Sequence, residues 1–277
     1  MNKAAASTPS DRTIKDFGDQ WTRYQDNSGY YGSAAFFEDV FAPLLTAADL
    51  KNTRVADIGA GTGRFVNIFL EAGASHVVAV EPSAAFEVLK KETQAGAARV
   101  TYLNVPGDRL PPDLALDYAF SIGVLHHIPE PQPVLLAARR ALKGGGTFCA
   151  WVYGAEGNRA YLAMAAMLRS IVRPLPHWLL ATIVWLLYWP LRGYMAIAAR
   201  VPVPLGDYLN RVVSRLDADK IRLVIYDQLK PAYAKYYRRE EAHALFESAG
   251  YEDIRLHHRH GYSWTICAKN PRRAAGA

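Results

Sequence analysis

Hydrophobic and polar positions fall into regular blocks along this chain. Short continuous apolar runs near 53–58, 76–81, 99–104, 115–122 and 146–153 predict strands buried on both faces. Helical periodicity near 63–72, 83–94 and 131–142 predicts the crossovers between them. Such alternation implies an α/β doubly wound sheet, mostly parallel, with helices on both faces. A helix near 238–249, stopped by Gly250, precedes strands near 251–258 and 262–268. Gly261 between those two strands predicts an antiparallel hairpin that completes a seven-stranded sheet. Ahead of the sheet, Phe17, Trp21, Tyr24, Phe36, Phe37, Val40, Phe41, Leu44 and Leu45 recur at helical spacing, interrupted by Gly29 and Gly32.

The stretch 158–230 breaks the alternation, being helical in character and unusually apolar. Trp178 to Trp189 is hydrophobic on every face, and Pro190 and Arg192 are expected to stop it. That run is shorter than the roughly 20 residues a spanning helix needs. Three readings stay open: a buried lid or dimer helix, an interfacial helix flanked by Arg169, Arg173, Arg192 and Arg200, and a transmembrane hairpin. The expected organisation is a tail (1–13), a helical cap (14–48), an α/β core (49–157), the apolar insert (158–230), a closing helix and hairpin (231–270) and a second tail (271–277).

Composition narrows the class. Half the 277 residues are hydrophobic, enough for a large core. The net charge of +6 suits cytosolic solubility or attraction to anionic surfaces and does not by itself point to nucleic acid. Residues 1–12 hold no apolar h-region, so the expected location is the cytoplasm, with peripheral contact of 178–200 with the inner membrane face as an open reading. Cys149 and Cys267 fall in predicted strands and read as buried, reduced thiols.

The first strand ends in Asp57 and runs into Gly59-Ala60-Gly61-Thr62-Gly63-Arg64. A dinucleotide turn needs a third glycine where this chain has Arg64 or Val66, and no Gly-Lys-Ser/Thr follows for a phosphate loop. Asp57 would repel a pyrophosphate and attract a cation. Glu81 closes the second strand about 20 residues on, where an acid reaches a ribose diol. The turn therefore calls for a ligand with a ribose and a cationic or zwitterionic end.

These segments resemble the motifs of class I S-adenosylmethionine-dependent methyltransferases. Asp57 to Gly63 looks like their first motif and Val78 to Ser83 their second strand. Gly107-Asp108-Arg109-Leu110-Pro111, Asp117 to Ile128 and Leu142 to Phe148 look like the segments that follow, and the likeness covers about 50–153 and 226–268. It implies a Rossmann-like fold and S-adenosylmethionine as cofactor. Asp57 would meet the methionine amino group over a floor of Gly59, Ala60, Gly61 and Gly63. Glu81, beside Pro82, would hold the ribose, and Asp108 the adenine amino group. Ser121 and Ile122 would flank the methionine portion, and Trp21 and Tyr24 would close over the cofactor.

The acceptor side is read from residue chemistry. His126 and His127 follow the fourth strand and are expected at the crevice, where a histidine near neutral pKa can take a proton from a hydroxyl. The segment Tyr226 to Tyr237 is expected as a loop over the acceptor, with Tyr226 and Asp227 near the reacting atoms and Tyr233, Tyr236 and Tyr237 against the acceptor. His257 and His258 point to opposite faces of one strand and cannot share a metal ion, so no metal is expected and a solvated hairpin end is. The expected reaction is methyl transfer to a small-molecule acceptor at oxygen, with N- or C-methylation, or a non-enzymatic cofactor-binding partner, as alternatives. A nucleic-acid acceptor is not expected, because Ser121-Ile122-Gly123-Val124 stands where base amino-methylating enzymes carry Asn/Asp-Pro-Pro-Tyr/Phe.

Overall fold

The computed structural model describes residues 9–157, 162, 168, 172, 175–229 and 233–272. Strands β1 (Arg54–Ile58), β2 (His76–Val80), β3 (Val100–Leu103), β4 (Leu116–Ile122), β5 (Leu142–Tyr153), β6 (Glu252–Arg259) and β7 (Ser263–Lys269) form one sheet. Their order is β3-β2-β1-β4-β5-β7-β6. β1 to β5 are parallel, and β7 inserts antiparallel between β5 and β6. The chain winds outward in opposite directions from β1 and β4, so the crevice at their carboxyl ends is the topological switch point where such sheets bind ligands.

Period-two alternation assigns each strand residue to a face. Val55, Val77, Ala79, Phe120 and Cys149 pack against α2 (Ala34–Phe41), α3 (Arg64–Glu71) and α4 (Ala85–Glu92). Phe37, Phe41 and Phe69 surround Phe120 there, the last with ring centroids 4.6 Å apart. Ala56, Ile58, Val78, Val80 and Ala150 face α5 (Gln132–Ala141) and α9 (Arg239–Ser248). Cys149 and Cys267 are free, buried and directly opposite in the β5–β7 register.

Helix α1 (Pro9–Trp21) begins inside the segment expected as a tail. Thr13, Gly18 and Gln20 are buried on its inner face, and a Cβ at Gly18 would lie 3.1 Å from Ser83. Beyond β5 the insert contributes α6 (His177–Ala198), α7 (Gly206–Arg211) and α8 (Ala218–Leu229). Pro190 does not stop α6. It removes one helical hydrogen bond, that to the Leu186 carbonyl, but both residues face outward, where that carbonyl can be hydrated. The window Leu179–Ala198, longer than the sequence pattern indicated, is apolar enough by length and composition to cross a membrane, at mean hydropathy 1.2.

The hairpin end is not solvated as expected. Asp39 on α2 pairs with buried Arg259 and accepts from His260 Nε2 at 2.7 Å. An acid facing this hairpin from outside the local sequence was not visible in the histidine spacing. His258 stacks on Trp264, with centroids 4.3 Å apart.

Candidate cofactor and acceptor site

The glycine turn is backbone-determined. Gly59, Gly61 and Gly63 adopt φ of +85°, +54° and +82°, which side-chain-bearing residues rarely adopt. A Cβ at Gly59 would stand 2.5 Å from Val124 Cγ2, and one at Gly63 2.5 Å from Thr93 Cγ2. The amides of Gly59 and Ala60 both donate to the Val80 carbonyl, at 2.8 and 3.0 Å, tying the turn to the end of β2.

Glu81 takes over from there. Its carboxylate accepts from Gly61 N at 2.8 Å and from Ser83 N at 2.9 Å, and Asn104 Nδ2 donates to its carbonyl at 2.8 Å. A carboxylate offers about four acceptor positions, so two remain for a diol. Asp57, in register with Ala79 and Phe120, is buried beside it. Burial pushes its carboxyl up to about 7, Glu81 adds to the rise, and the nearby Arg64 guanidinium opposes it. Asp57 Oδ2 has no hydrogen-bond partner among the described residues. A buried, unpartnered carboxyl oxygen beside a left-handed glycine turn fits a ligand that brings an ammonium and a ribose.

Helix α1 and the segment after it roof this turn. The Trp21 indole packs over Gly61, with Nε1 3.5 Å from where a Cβ would stand. Asn27 and Thr62 bond reciprocally, Asn27 Nδ2 to the Thr62 carbonyl at 3.1 Å and Thr62 Oγ1 to Asn27 Oδ1 at 2.7 Å. Buried Lys220 on α8 donates to the Asp26 carbonyl. Tyr24 faces Tyr226 of α8 with ring centroids 6.3 Å apart.

An aromatic box lies at the ends of β4 and β5. His126 and His127 are not on an open crevice wall; both are buried. The His126 ring lies 3.9 Å from that of Tyr153 and 5.9 Å from that of Trp151. Neither His126 nitrogen has a hydrogen-bond partner among the described residues. Burial, and then the neighbouring His127, hold its pKa well below the usual histidine value, so the ring is neutral. His127 Nδ1 bonds the Tyr233 carbonyl at 2.8 Å, and its ring meets that of Phe17 of α1 at 4.7 Å.

The Tyr-rich segment divides between roles. Tyr226 and Asp227 lie on α8 rather than in a loop, because the apolar spacing of Ile221, Val224, Ile225 and Leu229 carries the helix through them. The Asp227 side chain lies outside the described residues. Tyr236 joins the box, stacking on Tyr153 at 5.2 Å and donating to Gln228 Oε1 at 3.1 Å, while Gln228 Nε2 donates to Tyr153 Oη at 3.0 Å. Tyr237 instead enters the core beside β5, and burial raises its hydroxyl pKa. On the cofactor side, Ser121 Oγ donates to the Ile58 carbonyl at 3.3 Å, Ile122 packs into the α2–α3 core, and Pro82 is half-buried. Asp108 is exposed on a single turn, Gly107–Arg109, where the preceding Pro106 ends the extended backbone.

Asn27, Asn104, Trp151 and Tyr153 were missed. Trp151 and Tyr153 lie two apart at the end of β5 and share a face, so strand periodicity could have found them. Asn104 follows the end of β3, a signal of the same kind as Glu81. Asn27 gave no signal beyond a turn-forming run. A cavity of about 1060 Å³, lined by Arg139, Arg140, Lys143 and Arg272 among others, lies at the opposite end of the sheet. Among the described residues no group of three or more His, Cys, Asp or Glu could hold a metal ion.

Residues 56–150 match the family described as methyltransferase domain. The chain is 39% identical over 102 residues to a tRNA U34 carboxymethyltransferase of Shewanella woodyi, covering 35% of this chain and 30% of that protein. The match thus spans less than a third of that relative's length. In fold, the chain is similar to human N-acetylserotonin methyltransferase in complex with SAM (TM-score 0.54, 12% identity, 94% of this chain and 57% of that one). It is also similar to the 1,6-didemethyltoxoflavin-N1-methyltransferase of Burkholderia thailandensis (TM-score 0.53, 17% identity, 98% and 93%).

Proposed function

We propose that this chain, a class I S-adenosylmethionine-dependent methyltransferase by its domain match and its fold, moves a methyl group to a hydroxyl oxygen of a small acceptor held in the aromatic box. The observation that carries this reading is His126: a neutral imidazole, fully buried, with neither nitrogen partnered among the described residues, at the carboxyl ends of β4 and β5. Burying such a ring unpartnered costs stability, and a hydroxyl ligand offset beside Tyr153 would relieve it. The acceptor is expected to be a phenol, a hydroxylated metabolite or a lipid-linked intermediate.

Bound S-adenosylmethionine supplies a methyl group on a sulfonium, which leaves as a neutral thioether. The chain's own residues do the rest. Asp57 would neutralise the methionine ammonium, and that positive charge would restore its ionisation. Glu81 fixes the ribose through the acceptor positions that Gly61 and Ser83 leave over. His126, neutral and with both ring nitrogens open among the described residues, would hold the acceptor hydroxyl and take up its proton as that oxygen is methylated. Trp21 and α1 exclude water, and Tyr153 and Tyr236 orient a planar acceptor by stacking.

A nucleic-acid acceptor is the second reading, favoured by the relatives' tRNA carboxymethyltransferase name and the net charge of +6. The enclosure of buried His127 beneath Phe17 of α1, next to His126, speaks against it, since a folded RNA would have to displace that helix. A methylation screen across phenols, hydroxylated sugars, quinols and bulk tRNA separates the two. Transfer to a small hydroxylated compound that His126→Ala lowers at least about a hundredfold supports the proposal. Transfer to tRNA alone overturns it.

A further inference from the structure

Helix α6 has two apolar faces, and only one is covered. Leu180, Val184, Met195 and Ala198 are buried against α7 and α8, with Leu209, Val213, Ile221, Tyr226 and Leu229. On the other side Trp185, Leu186, Trp189 and Ile197, followed by Val201 past the helix end, are 48–58% exposed. Trp185 and Trp189 sit one turn apart, edge to face at 6.4 Å. A Cβ at Gly193 would meet nothing within 4 Å, so the face stays open beyond them. A contiguous exposed apolar face of this kind marks an interaction surface.

Charge says what covers it. From Gly157 to Gly206 the sequence has no Asp or Glu and five arginines: Arg159, Arg169, Arg173, Arg192 and Arg200. Arg192 and Arg200 are exposed on or beside α6 itself. A symmetric contact of this face with a second copy would bring Arg192 and its copy together with no carboxylate on α6 to answer them. Tryptophans with flanking arginines are the composition of the bilayer interface, and anionic headgroups supply the opposite charge. The helix cannot stand across the membrane in this fold, because its inner face is packed against α7 and α8, which expose Asp207, Arg211 and Asp219.

We propose that the outer face of α6 seats the protein on an anionic lipid bilayer. The helix lies in the plane of the headgroups, with Trp185, Leu186, Trp189 and Ile197 immersed and Arg192 and Arg200 against lipid phosphates. This seat does not depend on which acceptor the enzyme uses.

The test is flotation of the full chain with vesicles of phosphatidylcholine alone and of phosphatidylcholine mixed with phosphatidylglycerol, read alongside sedimentation without lipid. The full chain floats with the mixed vesicles, and its tryptophan emission shifts to the blue. Trp185→Ser/Trp189→Ser, shown folded by circular dichroism, loses about tenfold or more in partitioning. Arg192→Gln/Arg200→Gln removes most of the preference for phosphatidylglycerol. Three results would overturn the proposal: a wild type that stays below the vesicles, a folded tryptophan variant that floats as well as wild type, or a dimer that the tryptophan variant dissociates.

Discussion

Glu81 accepts the amide hydrogen of Gly61 at 2.8 Å, joining the end of β2 to a turn 20 positions earlier. With Ser83 N on its other oxygen, this one carboxylate sets both the turn and the entry to α4. Its removal therefore costs more than a ligand contact. Glu81→Ala leaves two buried amides unpaired, and at about 1–3 kcal/mol each the chain should lose about 2–6 kcal/mol in urea unfolding. Glu81→Gln keeps one acceptor oxygen and should recover about half of that loss.

Asp57 couples the site to pH. Its folded pKa, about 7, lies above the ordinary 3.8, so between those values the unfolded chain releases the proton first and stability falls as pH rises. The penalty is complete above about pH 7, and at ~1.4 kcal/mol per unit it reaches up to about 4 kcal/mol. Asp57→Asn should accordingly stabilise the free protein at pH 8 and leave it little changed at pH 4, by thermal melting. Binding of a cationic cofactor end works in the opposite sense. The affinity of wild type for S-adenosylhomocysteine should rise by up to about tenfold per unit as pH climbs towards 7, then level off, and Asp57→Asn should flatten that rise.

His126 separates stability from chemistry. Replacing a buried, unpartnered imidazole by an apolar ring removes its desolvation cost, so His126→Phe should be neutral or stabilising by about 1 kcal/mol while abolishing transfer to a hydroxyl. A melting temperature several degrees below wild type would show that the ring nitrogens are satisfied after all.

The Asp39–Arg259–His260 cluster ties the last hairpin to α2. Arg259 is only 2% exposed, so Asp39→Ala strands a buried charge and should cost about 3–5 kcal/mol. Burial alone would raise the Asp39 carboxyl, but the His260 hydrogen bond and the Arg259 charge outweigh it and lower its pKa. That contribution is present above the ordinary carboxylate value and is lost as pH falls from there through the lowered folded value, so this part of the acid destabilisation of wild type should be absent in Asp39→Ala.

The sheet was legible in the sequence because each strand is a short apolar run bounded by glycine, proline or an acid. Every predicted strand start or end lies within a few residues of the observed one, β5 beginning earliest, at Leu142. Asp57 and Glu81 were legible as candidates for the same reason: each is an acid that closes an apolar run at the carboxyl end of a strand. What sequence order does not carry is which distant segments meet. The burial of His126 depends on Tyr153 and Trp151, and that of His127 on Phe17 of α1; the docking of the hairpin depends on Asp39, 220 positions away from Arg259. The path of α6 through Pro190 depended on which side faced solvent, and that is decided by α7 and α8.

In the proposed mechanism the crevice at the carboxyl ends of β1 and β4 holds the methyl donor, with Glu81 at the end of β2 anchoring it. Isothermal calorimetry with S-adenosylhomocysteine tests it most directly. Wild type should bind one equivalent per chain, and Glu81→Ala, confirmed folded at the temperature used, should bind at least about a hundredfold more weakly, since a buried charged hydrogen-bond partner is lost. No heat of binding to wild type, or undiminished binding to the folded variant, would contradict it.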